Sequence, residues 1–402
     1  MPNTCGLIAS TRSNQIYYAR AGKSEIVRKL NVPGQVVTSS TGLNAHDIRG
    51  HTIFSWAGLG LGTDSIEEIK KSAAFLNARS RWKAAKCLTI DEISMLSAET
   101  LDKLNELGQW ARNNNQPFGG LQVVLQGDFL QLPPVPTSKD GQVGKVEFAF
   151  KAKVWPQLVG DREFCLKEVF RQTDTHFAEV LERVRKSVAT QADVEYLNTR
   201  KDIVPPNNIE CTSLFPTNDE ADRVNLQKLT QLQKQFPLRV NHTYSAENVG
   251  NIADLRQRRI PAKLTLLEGV QVIIIANVSV SEGVVNGARG IVCGFTHDRY
   301  PRILLNTGKE HTLVPFTFQG SEGTITQLPL RLGYSSSIHK SQGQTLDRVR
   351  SKFDRCFLPG HTYTALSRVT KLISLHISGG VSLEILNANP DTQVLKYYER
   401  LE

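Results

Sequence analysis

The sequence predicts an α/β protein with two parallel-sheet regions, the second interrupted by a small antiparallel barrel, over a chain of 402 residues. Three observations carry this. Short apolar runs ending in polar residues alternate with helical patterns from Gln35 to about Pro134. The same texture returns from about Leu158 to the C-terminus, with "ECTSLFPTN" and "LPLRLGYSSSIHKSQGQTL" as strand-like stretches. Inside that second region, roughly 265–325, β-rich runs are punctuated by Asn-Gly, Glu-Gly and Thr-Gly turn signals. The expected domains are therefore 1–157, 158–402, and an insertion at 265–325 within the latter.

The first element is "QIYYARAGKSEIVRKL", Gln15 to Leu30. Gly22, Lys23 and Ser24 followed by a helical run read as the end of a phosphate-binding loop, in which glycines admit the phosphates to the backbone N–H groups, Lys adds charge and Ser holds Mg²⁺. The full pattern wants a glycine where Tyr17 stands and small residues where Arg20 stands. Taken alone, Gly-Lys-Ser before a helix is a common tripeptide.

The next elements change the balance. "QVVTSST", "KCLTID" and "LQVVLQGD" read as buried parallel strands, and "SAETLDKLNELGQWARNN" reads as an amphipathic helix. Ligands collect at the carboxyl ends of such strands, where Thr38, Asp91 and Asp128 fall. Asp91 and Glu92 follow an apolar strand, the arrangement by which an Asp orients Mg²⁺ and a neighbouring Glu activates water. An isolated Asp-Glu pair is more often a solvated helix start. Here a third strand end follows, with Gln131 three residues beyond Asp128, and Pro133 and Pro134 then end regular structure. Three such elements in order are much harder to obtain by chance than one.

Composition sets the partner class. Hydrophobic residues make up 40% and charged residues 22%, ordinary for a globular chain, and a formal net charge of +9 favours an acidic partner, nucleic acid first. The 6 cysteines show no CxxC pair or metal-ligand spacing, which argues for a reducing compartment and against zinc. The longest apolar run, Val270 to Val278, is too short to cross a bilayer, and "MPNTCGLIASTRSNQ" lacks the apolar core of a secretory signal.

"VVTSSTGLNAHDIRGHTIFSWAGLGLG", "DEISM", "PFGGLQVVLQGDFLQLPPV", "LKEVFRQ", "LPLRLGYSSSIHKSQGQTLD" and "YTALSRV" resemble the successive motifs of the PIF-type (petite integration frequency) DNA helicases, RecD-like members of superfamily 1B. The resemblance runs from about Gly34 to the C-terminus. It implies two RecA-like motor domains with an SH3-like barrel in the second, ATP and Mg²⁺ as cofactors, and single-stranded DNA and duplex junctions as partners of a monomer. It also implies 5′ to 3′ translocation in telomere maintenance, recombination and repair, in nucleus or mitochondrion.

Residue by residue, the resemblance assigns Gly22, Lys23 and Ser24 to phosphate and Mg²⁺, Asp91 to the metal, and Glu92 to activation of water. Gln131 matches the γ-phosphate sensor, Arg171 and Arg368 the arginines that close from the second motor, and Gln342 and Gly343 the nucleotide-facing part of the fifth motif. Thr38, Ser40, Thr41, Ser55, Trp56, His339, Lys340 and Thr345 fall at DNA-contacting positions. For Trp56, a core position and a base-stacking position are equally open.

Two departures stand out. Phe54 occupies a position where the family has a histidine. The family also places a glutamine segment, a strand and a multi-glycine loop before the lysine, which "RSNQIYYARA" is not expected to supply. That predicts either a truncated N-terminus or a degenerate paralogue that grips DNA with little ATPase activity. A nucleotide hydrolase acting on something other than nucleic acid is disfavoured by "SIHKSQGQT" and "STGLNAHDIRG".

Overall fold

The computed structural model describes residues 15–19, 33–134, 146–166, 171–203 and 211–401, apart from interruptions at 42–43, 46–47, 49, 61, 63, 253–254, 256–259, 280–281, 285–287, 321, 354–355, 357 and 389. The first motor is built on six parallel strands: β1 (Gln15–Ala19), β2 (Gln35–Ser39), β3 (His51–Thr52), β4 (Cys87–Asp91), β5 (Gln122–Gly127) and β6 (Glu163–Leu166). They lie in the order β3-β2-β4-β5-β1-β6. Every residue of β4 is buried, which is why "KCLTID" reads as a continuous apolar run rather than an alternating one.

Strand β1 corrects one expectation. Gln15–Ala19 supplies a strand before Lys23, and Tyr17 pairs with Gln126 on β5 and Phe164 on β6 instead of standing in a loop. An aromatic residue with strand propensity, between two parallel neighbours, extends the sheet. Residues 20–32 lie outside the described residues.

Helices α1 (Ile53–Ala57), α2 (Ile66–Lys71), α3 (Ala73–Ala84) and α4 (Ala98–Arg112) cover this sheet. Helix α4 is capped by Ser97, whose Oγ accepts from the Thr100 amide at 3.1 Å, and it stops at Asn113 with φ 51°. It buries Leu101, Leu104, Leu107 and Ala111, spaced three and four residues apart. Trp82 of α3 is 0% exposed, 4.7 Å from Trp56 and 6.3 Å from Phe118 between ring centroids, and its Nε1 donates to Ala57 O at 3.1 Å. We expect Trp82→Ala to cost about 3–5 kcal/mol in chemical denaturation, as large-to-small core substitutions do. A loss under ~1 kcal/mol would show that the cluster does not hold the first core.

The second motor carries β7 (Thr212–Phe215), β8 (Ser335–Ser337), β9 (Val349–Ser351) and β10 (Leu375–Ile377), parallel in the order β8-β7-β9-β10. Helices α5 (Thr175–Arg185) and α6 (Asn218–Gln235) pack beside it. The insertion starts earlier than its expected limit of 265: strand 242–245 pairs with 263–266, and strand 247–251 pairs with 322–327. Its main sheet has five antiparallel strands, with 310–312 and 330–332 at the two edges, and among the described residues these two edges do not pair with each other. The edge at 310–312 is three residues long and carries Glu310, which blunts pairing with other chains.

Helix α7 (Thr392–Glu399) departs from the expected domain assignment. It buries Val394, Tyr397 and Tyr398 in the hydrophobic core of the first motor, so the segment 158–402 does not belong wholly to the second. A buried apolar face seeks the nearest apolar surface, whichever domain precedes it in the chain.

Candidate active site in the cleft between the motors

Asp91 closes β4 and Glu92 follows it, 5% and 3% exposed. Glu92 has φ 54° and ψ 48°, a left-handed conformation that strains any residue other than glycine. The turn sends the chain into a short helical segment, Ile93–Met95, instead of continuing the strand. Gln131 lies past the end of β5, 8% exposed, with its Nε2 donating to Asp128 Oδ2 at 3.4 Å and its Oε1 without a hydrogen-bond partner. Gly22, Lys23 and Ser24 lie outside the described residues.

The second motor meets these strand ends directly. Gln342 Nε2 donates to Glu92 Oε2 at 2.9 Å and to Ser94 Oγ at 3.2 Å. Arg171 Nη2 donates to Gly343 O at 3.0 Å. Burial pushes the Arg171 guanidinium below its usual range, while Tyr363 and Glu92 favour its charge. Arg368 is 0% exposed, and burial, reinforced by Arg171, lowers it to about 9. It remains charged near neutral pH. Glu92, Gln342, Arg171 and Arg368 thus form one electrostatic group.

Arg368 differs from expectation in one respect. Its N–H groups donate to Thr364 O at 2.7 Å, Ser341 O at 3.1 Å, Gln344 O at 3.2 Å and Ser367 Oγ at 2.7 Å. In this conformation it buttresses the 341–344 loop rather than offering its fork to the cleft. That loop also approaches the first motor at Gly343, where φ is 82° and an added Cβ would lie 2.5 Å from Asn44 Oδ1. Only glycine fits there.

The DNA-contacting candidates divide by burial. Ser55 and Thr345 are exposed, and Ser40, Thr41, His339 and Lys340 are half-buried. His339 sits edge-on to His361 at 5.3 Å, its Nε2 has no hydrogen-bond partner, and burial lowers its pKa, so it is a neutral imidazole near pH 7. Two assignments are corrected. Thr38 is 0% exposed with its hydroxyl donating to Thr89 O at 2.8 Å, so the pleat turns it into the sheet. Trp56 is 3% exposed in the first core against Trp82, and no ring face is left for a base. Asn44, beside Gly343, and Ser94, bonded by Gln342, also belong to the site and were not singled out by the sequence; each is a buried polar residue in a motif, which only burial distinguishes.

The donor set fits a nucleotide. Among the described residues, Gln126 Oε1 and Nε2, Gln131 Oε1 and Gln342 Oε1 are buried atoms without partners, at or beside the strand ends and the cleft. Among the described residues no group of three or more His, Cys, Asp or Glu could hold a metal. A single carboxylate at Asp91 fits Mg²⁺, which keeps waters and phosphates as its other ligands. No described helix is long and apolar enough to cross a membrane.

Two parallel-sheet domains, with acids at the strand ends of one and arginines brought from the other, define a two-domain RecA-like motor. The profile of the PIF1-like helicase family matches residues 19–192, and that of the 2B domain of DNA helicase Pif1 matches residues 255–295. The crystal structure of Pif1 helicase from Candida albicans superposes with a TM-score of 0.83 at 31% identity, over 98% of this chain and 96% of that one. Bacteroides Pif1 bound to ssDNA superposes with a TM-score of 0.75 at 25% identity, over 97% and 94% of the two chains. The ATP-dependent DNA helicase PIF1 of Xenopus laevis is 34% identical over 400 residues, 96% of this chain and 61% of that protein. The human protein of the same name is 34% identical over 95% of this chain and 60% of its own length, so the chain spans about 60% of these curated relatives. This chain belongs to the PIF1-like helicase family.

Proposed function

We propose that the chain is an ATP-dependent DNA helicase that advances along single-stranded DNA as its motors open and close on ATP. The observation that carries this reading is the Glu92–Gln342 hydrogen bond, with Arg171 and Arg368 in the same electrostatic group. In the reaction, Glu92 takes the proton of the attacking water, Gln131 holds that water or the γ-phosphate through its amide, and Arg171 offsets charge as the bond to the leaving group breaks. Mg²⁺, when bound with the nucleotide, neutralises charge on the phosphates, and Ser24 and Asp91 are the residues that would hold it.

Ser40, Thr41 and Ser55 on the first motor and His339, Lys340 and Thr345 on the second supply the DNA track. Hydroxyls and a neutral imidazole hold phosphates without reading bases. Family resemblance supports 5′ to 3′ polarity, action by a monomer at duplex junctions, and roles in telomere maintenance, recombination and repair in nucleus or mitochondrion. The structure of two coordinating Pif1 helicases at forked dsDNA, 26% identical to this chain, makes a fork with a single-stranded tail the natural substrate to try.

The test is ATP turnover with and without single-stranded DNA, alongside unwinding of tailed forks. Strong stimulation by DNA and ATP-dependent unwinding of one tail polarity are expected; turnover indifferent to DNA would overturn the reading. Affinity for single-stranded DNA should fall about tenfold or more between 50 and 200 mM salt, because bound phosphates release counterions. Affinity flat in salt would remove the phosphate track.

A further inference from the structure

Asp128 anchors a buried network that phosphate chemistry does not require. It follows β5, is 0% exposed, and receives a fork from Arg185 at the end of α5, with Nε at 3.0 Å from Oδ2 and Nη2 at 2.8 Å from Oδ1. Tyr398 of α7 donates its hydroxyl to Oδ1 at 3.1 Å and accepts the Phe129 amide at 3.1 Å. The Arg185 guanidinium lies 5.0 Å from the Tyr398 ring centroid. The same carboxylate takes the Gln131 amide at 3.4 Å and the Leu130 amide at 3.2 Å. One side chain therefore joins the segment carrying Gln131, a helix of the second motor, and the C-terminal helix seated in the first core.

We propose that Asp128, Arg185 and Tyr398 are positioning residues that register Gln131 to the position of the second motor, with α7 as the fixed strut. The proposal rests on the helicase reading for its catalytic consequence. The mechanics come from the bonds. A bidentate guanidinium fork resists rotation and shear, so movement of α5 pulls on Asp128. The Tyr398 hydroxyl ties the same carboxylate to a helix that belongs to the first motor, so Asp128 does not simply follow α5. Gln131, attached to that carboxylate, is thereby held in one place when the cleft is closed and displaced when it opens.

Tyr398→Phe in the full chain tests this, because the ring stays in the core while the hydroxyl is lost. We expect the kcat of DNA-stimulated ATP hydrolysis to fall about tenfold, with KM for ATP and affinity for single-stranded DNA nearly unchanged, the pattern of a group that acts only in the transition state, and with a lowered but still cooperative thermal transition, because the Phe129 amide loses this buried acceptor. Asp128→Asn combined with Tyr398→Phe should be strongly non-additive, as residues of one network are. A second readout does not depend on turnover: the distance distribution between spin labels on non-natural amino acids at Ser80 and Glu195, one on each motor. The unmodified chain should give a narrow distribution that Tyr398→Phe broadens. An unchanged kcat in Tyr398→Phe together with an unchanged distribution overturns the proposal, as does additivity in the double variant. If the unmodified chain shows no turnover on any DNA, the helicase reading fails, and the spin-label distances alone decide the mechanical link. If Asp128→Asn does not fold, Tyr398→Phe decides by itself.

Discussion

Replacing Glu92 by Gln is expected to leave nucleotide binding intact and to lower DNA-stimulated turnover by roughly the 10²–10⁴-fold that a positioned general base supplies. Few substitutions keep so much of their surroundings. The side chain is the same length, and its Oε1 still accepts the Gln342 amide that now sits 2.9 Å from the carboxylate. The bond across the cleft therefore survives, as does the left-handed turn at φ 54° that sends Glu92 off the end of β4. What is lost is the ability to take a proton. Single-turnover hydrolysis separates the cases: slow chemistry with normal nucleotide affinity supports the base, whereas turnover within threefold of the unmodified chain removes Glu92 from that role. Weakened nucleotide binding would instead assign it to holding the closed cleft.

The parts of this architecture legible in the sequence are those whose cause is local. "KCLTID" and "LQVVLQGD" are covered on both faces, so burial writes itself into them as short, mostly apolar runs without alternation. The acids after β4 and Gln131 after β5 were legible because a parallel sheet delivers its strand ends to one edge. The strand at Gln15–Ala19 was missed because the spacing to Lys23 placed Tyr17 at a loop glycine, and only its pairing with β5 and β6 decides otherwise. Thr38 and Trp56 were assigned to DNA by motif position. Their burial depends on α3 and β4, which no short motif reports. Contacts between segments far apart in the chain were least legible of all. Gln342 meets Glu92 over a sequence separation of 250 residues, and Tyr398 meets Asp128 over 270, so neither leaves a periodicity or spacing to read.

The two cleft arginines are expected to differ, and Arg171→Ala should be the more damaging to catalysis, lowering DNA-stimulated kcat by about 10³-fold or more, as loss of an arginine finger does. The sequence treats Arg171 and Arg368 alike. Their hydrogen bonds do not. Arg368 is committed to three carbonyls and a hydroxyl of its own motor, whereas the described bond of Arg171 is to Gly343 O alone. Burial works against the charge of Arg171, and no salt bridge to it appears among the described residues. A half-buried cation whose charge Tyr363 and Glu92 favour, with no salt bridge among the described residues, is only partly compensated until an anion arrives, and the γ-phosphate is the anion that the proposed helicase reading brings to it. Two measurements follow from that asymmetry. Arg171→Ala should leave the thermal midpoint nearly unchanged, because a half-buried and only partly compensated charge has been removed, while kcat collapses and affinity for single-stranded DNA holds. Arg368→Ala should lower the midpoint, because it removes the guanidinium that ties the Ser341, Gln344 and Thr364 carbonyls together and empties a fully buried site. Arg171→Lys should recover little of the lost rate, since a point charge on a flexible stem does not reproduce the planar fork. Near-normal turnover in Arg171→Ala, or a fall in its midpoint as large as that of Arg368→Ala, would show that Arg171 props the fifth-motif loop and does not act on the phosphate.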